Sequence, residues 1–511
     1  MTGIGDFFGL YSLGFPLVFQ PQVLLTLLVS TAIGVVFGVI PGLSATIGVA
    51  IFTPLTFAMS PHTAFAVLLG IYCGSIYGGS ISAILINIPG TPAAVMTRLD
   101  GYPMAQRGEA GRAIGLATTS SFIGGILSVF LLAFFAPIIA NFALRLSAQE
   151  YFAVCLFGVL VIAYISSKSI LKGIMSGLVG LLLATVGMDP IHGTVRFTFG
   201  KPALIGGIEM IPVMVGIFGI SQVLKMAEEK ESKDNIKDVK VKKLDKVVPS
   251  FKELFKSLPT LIRGSIIGVF IGAVPATGGT IASIISYGVE KAVSKTPEKF
   301  GTGEPKGIIG PESANNAATG GAMIPMMTLG IPGDVVTAIL IGALMLQGLR
   351  PGPMLFQNSP EVVSSIFLIM FLANFVFLAY GLFGAKYFAK VVSLPRPVLV
   401  SMITCLTIVG TYSVRNSVFD VWVLLIAGIV GFIFDKVDIP AAPLVLGFIL
   451  GRLLEEYLRR GLLLSSGNIF SFFTRPISGF FLIAIFVIFV GPPLFKIIKK
   501  TAFALNKNKK A

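Results

Sequence analysis

"IGVVFGVIPGLSATI" (residues 33–47) aligns without gaps on "IGVFIGAVPATGGTI" (267–281), sharing Ile, Gly and Val at the start, then a Gly, a Pro, a Thr and an Ile. Each copy reads as an apolar helix that runs into a proline, passes through small and hydroxyl residues, and resumes as a second apolar piece. Proline removes a backbone donor and displaces a carbonyl, and glycine permits the tight turn, so the helix breaks there. Irregular backbone is tolerated at membrane depth only where protein or a water-filled cavity surrounds it. The breaks at Pro41–Thr46 and Pro275–Thr280 are therefore expected to line an interior site.

A second pair follows. "YGGSISAILINIPGTPA" (77–93) matches "GGAMIPMMTLGIPGDVV" (320–336) through Gly78 with Gly321 and through Ile-Pro-Gly at 88–90 with 331–333. Each half is thus a broken hairpin followed by a discontinuous helix, with repeat cores at about 22–112 and 261–356.

The surroundings are made for lipid. The chain of 511 residues is 54% hydrophobic and 12% charged, against roughly 25% charged in soluble domains. Apolar runs recur from residue 22 to 495, and at ~20 residues per span they amount to about ten to twelve crossings. The expected fold is an all-α polytopic membrane protein with two inverted repeats. The opening "MTGIGDFFGLYSLGF" has no basic segment ahead of an apolar stretch, so the first span is expected to persist.

Charge placement gives the topology. No Lys or Arg precedes Arg98, and "RLDGYPMAQRGEAGR" (98–112) then gathers Arg98, Arg107 and Arg112. By the excess of cations in cytoplasmic loops, this segment faces the cytoplasm, the N-terminus lies outside and the basic tail at 501–511 lies inside. Lys291, Lys295 and Lys299 after the second hairpin are cytoplasmic by the same rule, which inverts the second repeat relative to the first. A hydrophilic stretch, 225–260, divides a first membrane half (1–224) from a second (261–500). "GRLLEEYLRRG" disagrees: Arg452, Arg459 and Arg460 fall outside by counting spans, so either the count slips near 440–476 or the segment is re-entrant or interfacial.

The net charge of +15 follows from these loops and gives no support to nucleic-acid binding. Cys73, Cys155 and Cys405 lie far apart in apolar segments and read as core residues. His62 and His192 are equally isolated. With no His-Glu-x-x-His and no Gly-x-Ser-x-Gly, hydrolase chemistry has no footing, and inverted breaks suit a gated central site better than an open channel.

"GIIGPESANNAATGGAMIPMMTLGIPGD" (307–334) places Glu312, Asn315, Asn316 and Asp334 among apolar neighbours. Ionisable groups in a span cost about 2.5–3.5 kcal/mol and usually face a bundle interior. Half-helix N-termini with free N–H groups suit a carboxylate, while carbonyl and carboxylate oxygens suit Na⁺ or H⁺. Plainer readings stand beside these. Glu312 could be a first-turn residue after Pro311; Ser44, Thr46, Thr277 and Thr280 could simply cap helices; Gly34 with Gly38 and Gly268 with Gly272 could serve close helix packing.

Together with "TAILIGALMLQGLRPGPMLF" and the ending "LLEEYLRRGLLLSSGNIFSFFTRPIS", these motifs resemble the large membrane subunit of tripartite tricarboxylate transporters, the TctA type, over nearly the whole chain. The resemblance implies an inner-membrane permease of bacterial type working with a small four-span membrane subunit (TctB type) and a periplasmic solute-binding protein (TctC type). It implies uptake of tricarboxylates or related organic acid anions, driven by a Na⁺ or H⁺ gradient without ATP, cofactor or resident metal. The family's functional segments carry over to Pro41, Gly42, Ser44 and Thr46, to Asn87 and Thr91, to Thr277, Gly278, Gly279 and Thr280, and to Ser313, Asn315 and Asn316 as the expected substrate site. Glu312, Gly330, Pro332, Gly333 and Asp334 carry over as the expected cation-coupling segment. Arg452, Gly461 and Asn468 depart from the family pattern, where proline, serine and aspartate are common. A carrier working without a binding protein is the alternative.

Overall fold

Both repeat motifs fold as broken hairpins in the computed structural model, which describes residues 4–165, 169–189, 191–228, 245–275, 277–391, 394–489 and 491. After α1 (Ile4–Val18), α2 (Pro21–Val39) starts on a proline and stops at Ile40; Gly42 turns the chain at φ +90°, and Ser44 caps α3 (Ala45–Phe52). Next, α4 (Pro61–Ile86) ends on Asn87 in the left-handed region, and Ile-Pro-Gly leads through a 3₁₀ turn at Pro92–Val95 into α5 (Thr97–Gln106). The chain continues through α6 (Ala110–Ala143), α7 (Ala148–Ile165), α8 (Ile170–Ala184) and a β-hairpin of β1 (Gly187–Met188) and β2 (Val195–Arg196). A π turn at Gly216–Ile220 then joins α9 (Met210–Val215) to α10 (Ser221–Glu228).

The second motif repeats this order. After α11 (Phe251–Lys256), α12 (Leu258–Ala273) breaks before α13 (Gly278–Val293). The long α14 (Lys306–Leu329) ends on left-handed Gly330, where the first repeat has Asn87, and Ile-Pro-Gly leads into α15 (Val335–Leu346). There follow α16 (Met354–Asn358), α17 (Pro360–Val391), α18 (Arg396–Arg415), α19 (Val418–Lys436), α20 (Ala441–Leu464), α21 (Ser471–Thr474) and α22 (Pro476–Phe489). Among the described residues, eight helices are long and apolar enough to span and five shorter apolar helices accompany them. The protein is an all-α polytopic membrane protein, and the breaks account for several of the shorter pieces. Most of the expected linker, 229–244, and the tail 501–511 lie outside the described residues.

One compact unit comprises 1–144 and 208–441, and both repeat cores lie in it. Here α2 lies against α4 so closely that a Cβ on Gly38 would stand 2.2 Å from the Ser75 carbonyl oxygen; on α4, one on Gly78 would stand 2.4 Å from that of Val35. The second repeat has the same contacts: Gly268 and Gly272 of α12 face the carbonyls of Ala314 and Ala318 at 2.3 and 2.4 Å, and Gly321 faces that of Val269 at 2.5 Å. The Gly-x-x-x-Gly pairs therefore serve helix packing.

Contacts between the repeats are exchanged. The first hairpin's α3 packs on α15, and the second hairpin's α13 packs on the 3₁₀ turn at 92–95. Gln347, past α15, donates to the Thr56 carbonyl at 2.8 Å, at the end of the first hairpin. Asp100 on α5 accepts the N–H groups of Gly301, Gly303 and Glu304, each at 2.8 Å, beyond the end of the second. Arg107 donates to the carbonyls of Thr302 and Gly303 beside them.

The other unit comprises 145–207 and 442–511. Glycines again bring helices together, with Gly180 of α8 against the Leu444 carbonyl and Gly447 of α20 against that of Gly177. The arginines that disagreed with the span count are engaged locally. Arg459 bonds Asp189 at 2.8 Å and Glu455 at 2.7 Å, Arg460 bonds Glu456 at 2.6 Å, and Arg452 donates to the Gly206 carbonyl at 3.1 Å. Arg196 of the β-hairpin joins them through Glu455 at 2.8 Å. The backbone N–H groups of His192 and Ile191, with Arg459, hold the Asp189 carboxyl down at about 2. Of the other departures from the family pattern, Gly461 lies against the Phe472 ring and accepts from Gln149 at 3.1 Å, and Asn468 accepts the Phe470 N–H at 2.9 Å.

Candidate functional site

The second break is built around an uncapped helix start. Thr277 turns its hydroxyl back to α12, donating to the carbonyls of Ile271 and Val274, and makes no side-chain cap for α13. Among the described residues, the N–H groups opening α13, from Gly278 onward, are thus left without a capping side chain. The first break differs, because Ser44 accepts the Ile47 N–H at 3.4 Å and caps α3 itself.

Beside the start of α13 stands Asn315 of α14. A Cβ on Gly279 would fall 2.4 Å from Asn315 Oδ1, so only glycine leaves the amide its place. Asn315 is 1% exposed, and among the described residues neither its Oδ1 nor its Nδ2 has a hydrogen-bond partner. Buried polar groups are nearly always paired, since leaving one unpaired costs about 1–3 kcal/mol. Gly278, at φ +56°, brings the same turn to Asp334, whose Cβ would lie 3.4 Å from a Cβ there. Asp334 caps α15 through the Thr337 N–H and hydroxyl, both at 2.7 Å, and accepts the Tyr72 hydroxyl of α4 at 2.7 Å.

The Ile-Pro-Gly turns press on the helices that precede the breaks. A Cβ on Gly90 would overlap the Gly38 carbonyl at 1.9 Å, and one on Gly333 would meet that of Gly272 at 2.6 Å. Thr91, the counterpart of Asp334, is 2% exposed and stands over Gly79 with its hydroxyl unpartnered among the described residues.

Glu312, one helical turn before Asn315 on α14, is fully buried. Its oxygens accept the hydroxyl of Thr97 at the start of α5 and that of Ser121 on α6, the latter at 2.8 Å. It is a helix residue about two turns into α14, not one in the first turn.

The model of the tripartite tricarboxylate transporter TctA family matches residues 24–446, a range holding both breaks, both Ile-Pro-Gly turns, Asn315 and Glu312. The chain belongs to the TctA family. A relative from Agrobacterium vitis, the uncharacterized 52.8 kDa protein of the TAR-I ttuC' 3' region, is 39% identical over 91% of this chain and 92% of its own length. Another from that organism, in the TAR-II ttuC' 3' region, is 40% identical over 41% of this chain and 87% of its own length. No solved structure matches. The TctA chain is thus a large subunit of a tripartite transporter, a multi-pass membrane protein of a transport family and not of an enzyme family.

Within this TctA chain the expected site residues fall into groups. Gly278, Gly279, Asn315 and Asp334 come together at the second break, with Thr280 half-buried in the first turn of α13. Pro41 and Thr46 are half-buried at the first break, where Gly42 is exposed and faces Gln222. Ser313 turns to its own helix, donating to the Gly310 carbonyl at 2.9 Å, and packs on Gly264. Asn316 donates to the Glu312 carbonyl at 3.3 Å. Asn87 and Gly330 end their helices in the left-handed region, and Pro332 is buried in the second turn. Sequence reasoning missed Tyr72, Thr97 and Ser121. Tyr72 and Ser121 interrupt apolar runs, the signal that could have drawn attention to them.

Proposed function

We propose that this TctA chain imports tricarboxylates or related organic acid anions by alternating access, coupled to a Na⁺ or H⁺ gradient. It would work in a bacterial inner membrane with a small four-span subunit and a periplasmic binding protein. The observation that carries this reading is Asn315: a buried amide with no partner among the described residues, set against Gly279 in the first turn of a helix that Thr277 leaves uncapped. A carboxylate there accepts N–H groups from the start of α13 and the Asn315 Nδ2–H, in the favourable field of the helix N-terminus. Thr91, on the turn that packs against α13, adds a hydroxyl from the other repeat. Glu312, buried and held by two hydroxyls, is the carboxylate assigned to the coupling cation.

The exchanged contacts support an inverted arrangement. The α4–α5 segment runs from the first hairpin's end to Arg107, beside the second hairpin's end, while the α14–α15 segment runs back to Gln347, beside Thr56. Two discontinuous helices crossing in opposite directions between two hairpins suit rocking about a central site. With cations on the cytoplasmic side, the N-terminus lies outside and the C-terminus inside.

The test is uptake of labelled citrate, other di- and tricarboxylates and aromatic acids into proteoliposomes holding this subunit and its small partner, with and without the binding protein, under a Na⁺ or H⁺ gradient. The proposal expects uptake that needs the binding protein and one gradient. Equal uptake without the binding protein means a stand-alone carrier, and no carboxylate uptake refutes the reading.

A further inference from the structure

The two hairpins differ along the second leg. On α13, Gly279, Ser283, Ser286 and Glu290 recur at spacings of four and three and so share one face of the helix. That face lies on α14. Gly279 meets Asn315, and a Cβ on Gly310 would lie 3.2 Å from Ser286 Oγ and 2.7 Å from Glu290 Cγ. Gly310 therefore lets α14 close on these two side chains with no side chain of its own against them. Ser283 and Ser286 are 1% and 0% exposed, and among the described residues neither hydroxyl has a partner. Ser75, Thr91 and Thr411 share this condition, but other buried hydroxyls of the bundle do not. Thr118, Ser120, Ser265 and Thr328 each return their hydroxyl to the carbonyl four residues back, at 2.6–2.7 Å, as serine and threonine in apolar helices commonly do.

The seam ends on a charged pair that reaches the surface. Glu290 is 1% exposed and accepts Thr260 Oγ1 at 3.0 Å and Arg263 at 2.6 and 2.8 Å, while the Arg263 side chain is 36% exposed. Extending the alignment of the two motifs puts Val49, Phe52 and Thr56 at the positions of Ser283, Ser286 and Glu290. In the first hairpin Val49 is fully buried and Phe52 packs edge-on against Phe37. One hairpin is closed by apolar packing along this line; the other carries two unpaired hydroxyls between the unpaired amide of Asn315 and the ion-paired Glu290.

We infer that the α13–α14 seam is a hydrated route by which the coupling cation passes between Asn315 and the Arg263–Glu290 end, with no equivalent in the first repeat. Buried hydroxyls left unpaired at one-turn intervals offer oxygens to water or a small monovalent cation in place of bulk hydration, and opposite Ser286 the glycines at 264 and 310 carry no side chain to block them. The inference rests on the reading of Asn315 as part of the central site.

Accessibility to Ag⁺, a thiol-reactive monovalent cation, tests it without knowledge of the substrate. Ser283→Cys, Ser286→Cys, Asn315→Cys and Val49→Cys are made singly in the full chain, with Cys73, Cys155 and Cys405 replaced by alanine. Right-side-out and inside-out vesicles are exposed to silver nitrate, and the remaining thiols are labelled with a fluorescent maleimide after denaturation. The expected result is that Ag⁺ reaches Ser283→Cys and Ser286→Cys at least about tenfold faster from the Arg263 side, the ratio given by a ~1.4 kcal/mol difference in barrier, while Val49→Cys is protected from both sides. Reaction of Asn315→Cys with protection of both serine positions overturns the seam and leaves the central site standing. Protection of Asn315→Cys from both sides overturns the site reading itself.

Discussion

Gly279→Ala separates binding from folding at the second break. The new Cβ would lie 2.4 Å from Asn315 Oδ1, whereas carbon and oxygen need about 3.3 Å, so the amide must retreat by about 1 Å. The Asn315 carbonyl, at 3.2 Å from that Cβ, needs only a slight adjustment. The displaced amide makes no hydrogen bond among the described residues, so moving it costs little stability, and alanine gains about 0.5–1 kcal/mol over glycine within a helix. A hydrogen bond to a charged carboxylate contributes about 1.5–3 kcal/mol. Its loss raises the half-saturating substrate concentration about 10- to 100-fold at about tenfold per 1.4 kcal/mol. Concentration-dependent uptake in proteoliposomes, beside thermal unfolding of the purified variant, measures both sides. Unchanged half-saturation in a variant that unfolds like the parent would refute the placement of substrate against Asn315.

Other substitutions probe the frame and the coupling. Gly38→Ala and Gly272→Ala drive a Cβ to 2.2 Å from the Ser75 carbonyl oxygen and 2.4 Å from that of Ala318; overpacking of this kind costs about 1–3 kcal/mol, so both should lower the unfolding temperature in detergent, and unaltered temperatures would contradict the close packing. Glu312→Gln keeps an acceptor for Thr97 or Ser121 but removes the charge, so gradient-driven uptake should be lost while substrate exchange across the membrane persists; coupling that survives in a correctly inserted variant would remove Glu312 from that role. The depressed Asp189 carboxyl makes the stabilisation it gives the β-hairpin fully present above the usual aspartate value near 3.8 and lost only as pH falls through about 2. Proteolysis at the hairpin should therefore stay slow on acidification to about pH 4 in the parent and be fast throughout in Asp189→Asn; equal rates would contradict the network.

The breaks were legible because each demands residues that few others can replace. Proline at 41 and 275 ends a helix, and Gly38 and Gly272 allow backbones to touch. Asn87 and Gly330 occupy the same left-handed position, one of the few substitutions that such a φ admits. What stayed hidden were contacts between distant segments. Nothing in the spacing of Tyr72 and Asp334, or of Thr97, Ser121 and Glu312, encodes their meeting, since it depends on how helices cross. The hydroxyl of Thr277 could have capped either helix it adjoins, and only the backbone path shows that it serves α12. Arg452 and Arg459 looked like misplaced loop cations because Gly206 and Asp189, which engage them, lie far back in the chain, whereas the Arg460–Glu456 pair sits within one helix turn.

The central claim is that an organic anion sits at the start of α13 against Asn315. The most direct measurement is a structure of the assembled transporter with the carboxylate identified by the uptake panel. The account predicts a carboxylate within hydrogen-bonding distance of the Gly279 or Thr280 N–H and of Asn315 Nδ2. An anion held instead at the first break, with Asn315 still unpaired, would contradict it.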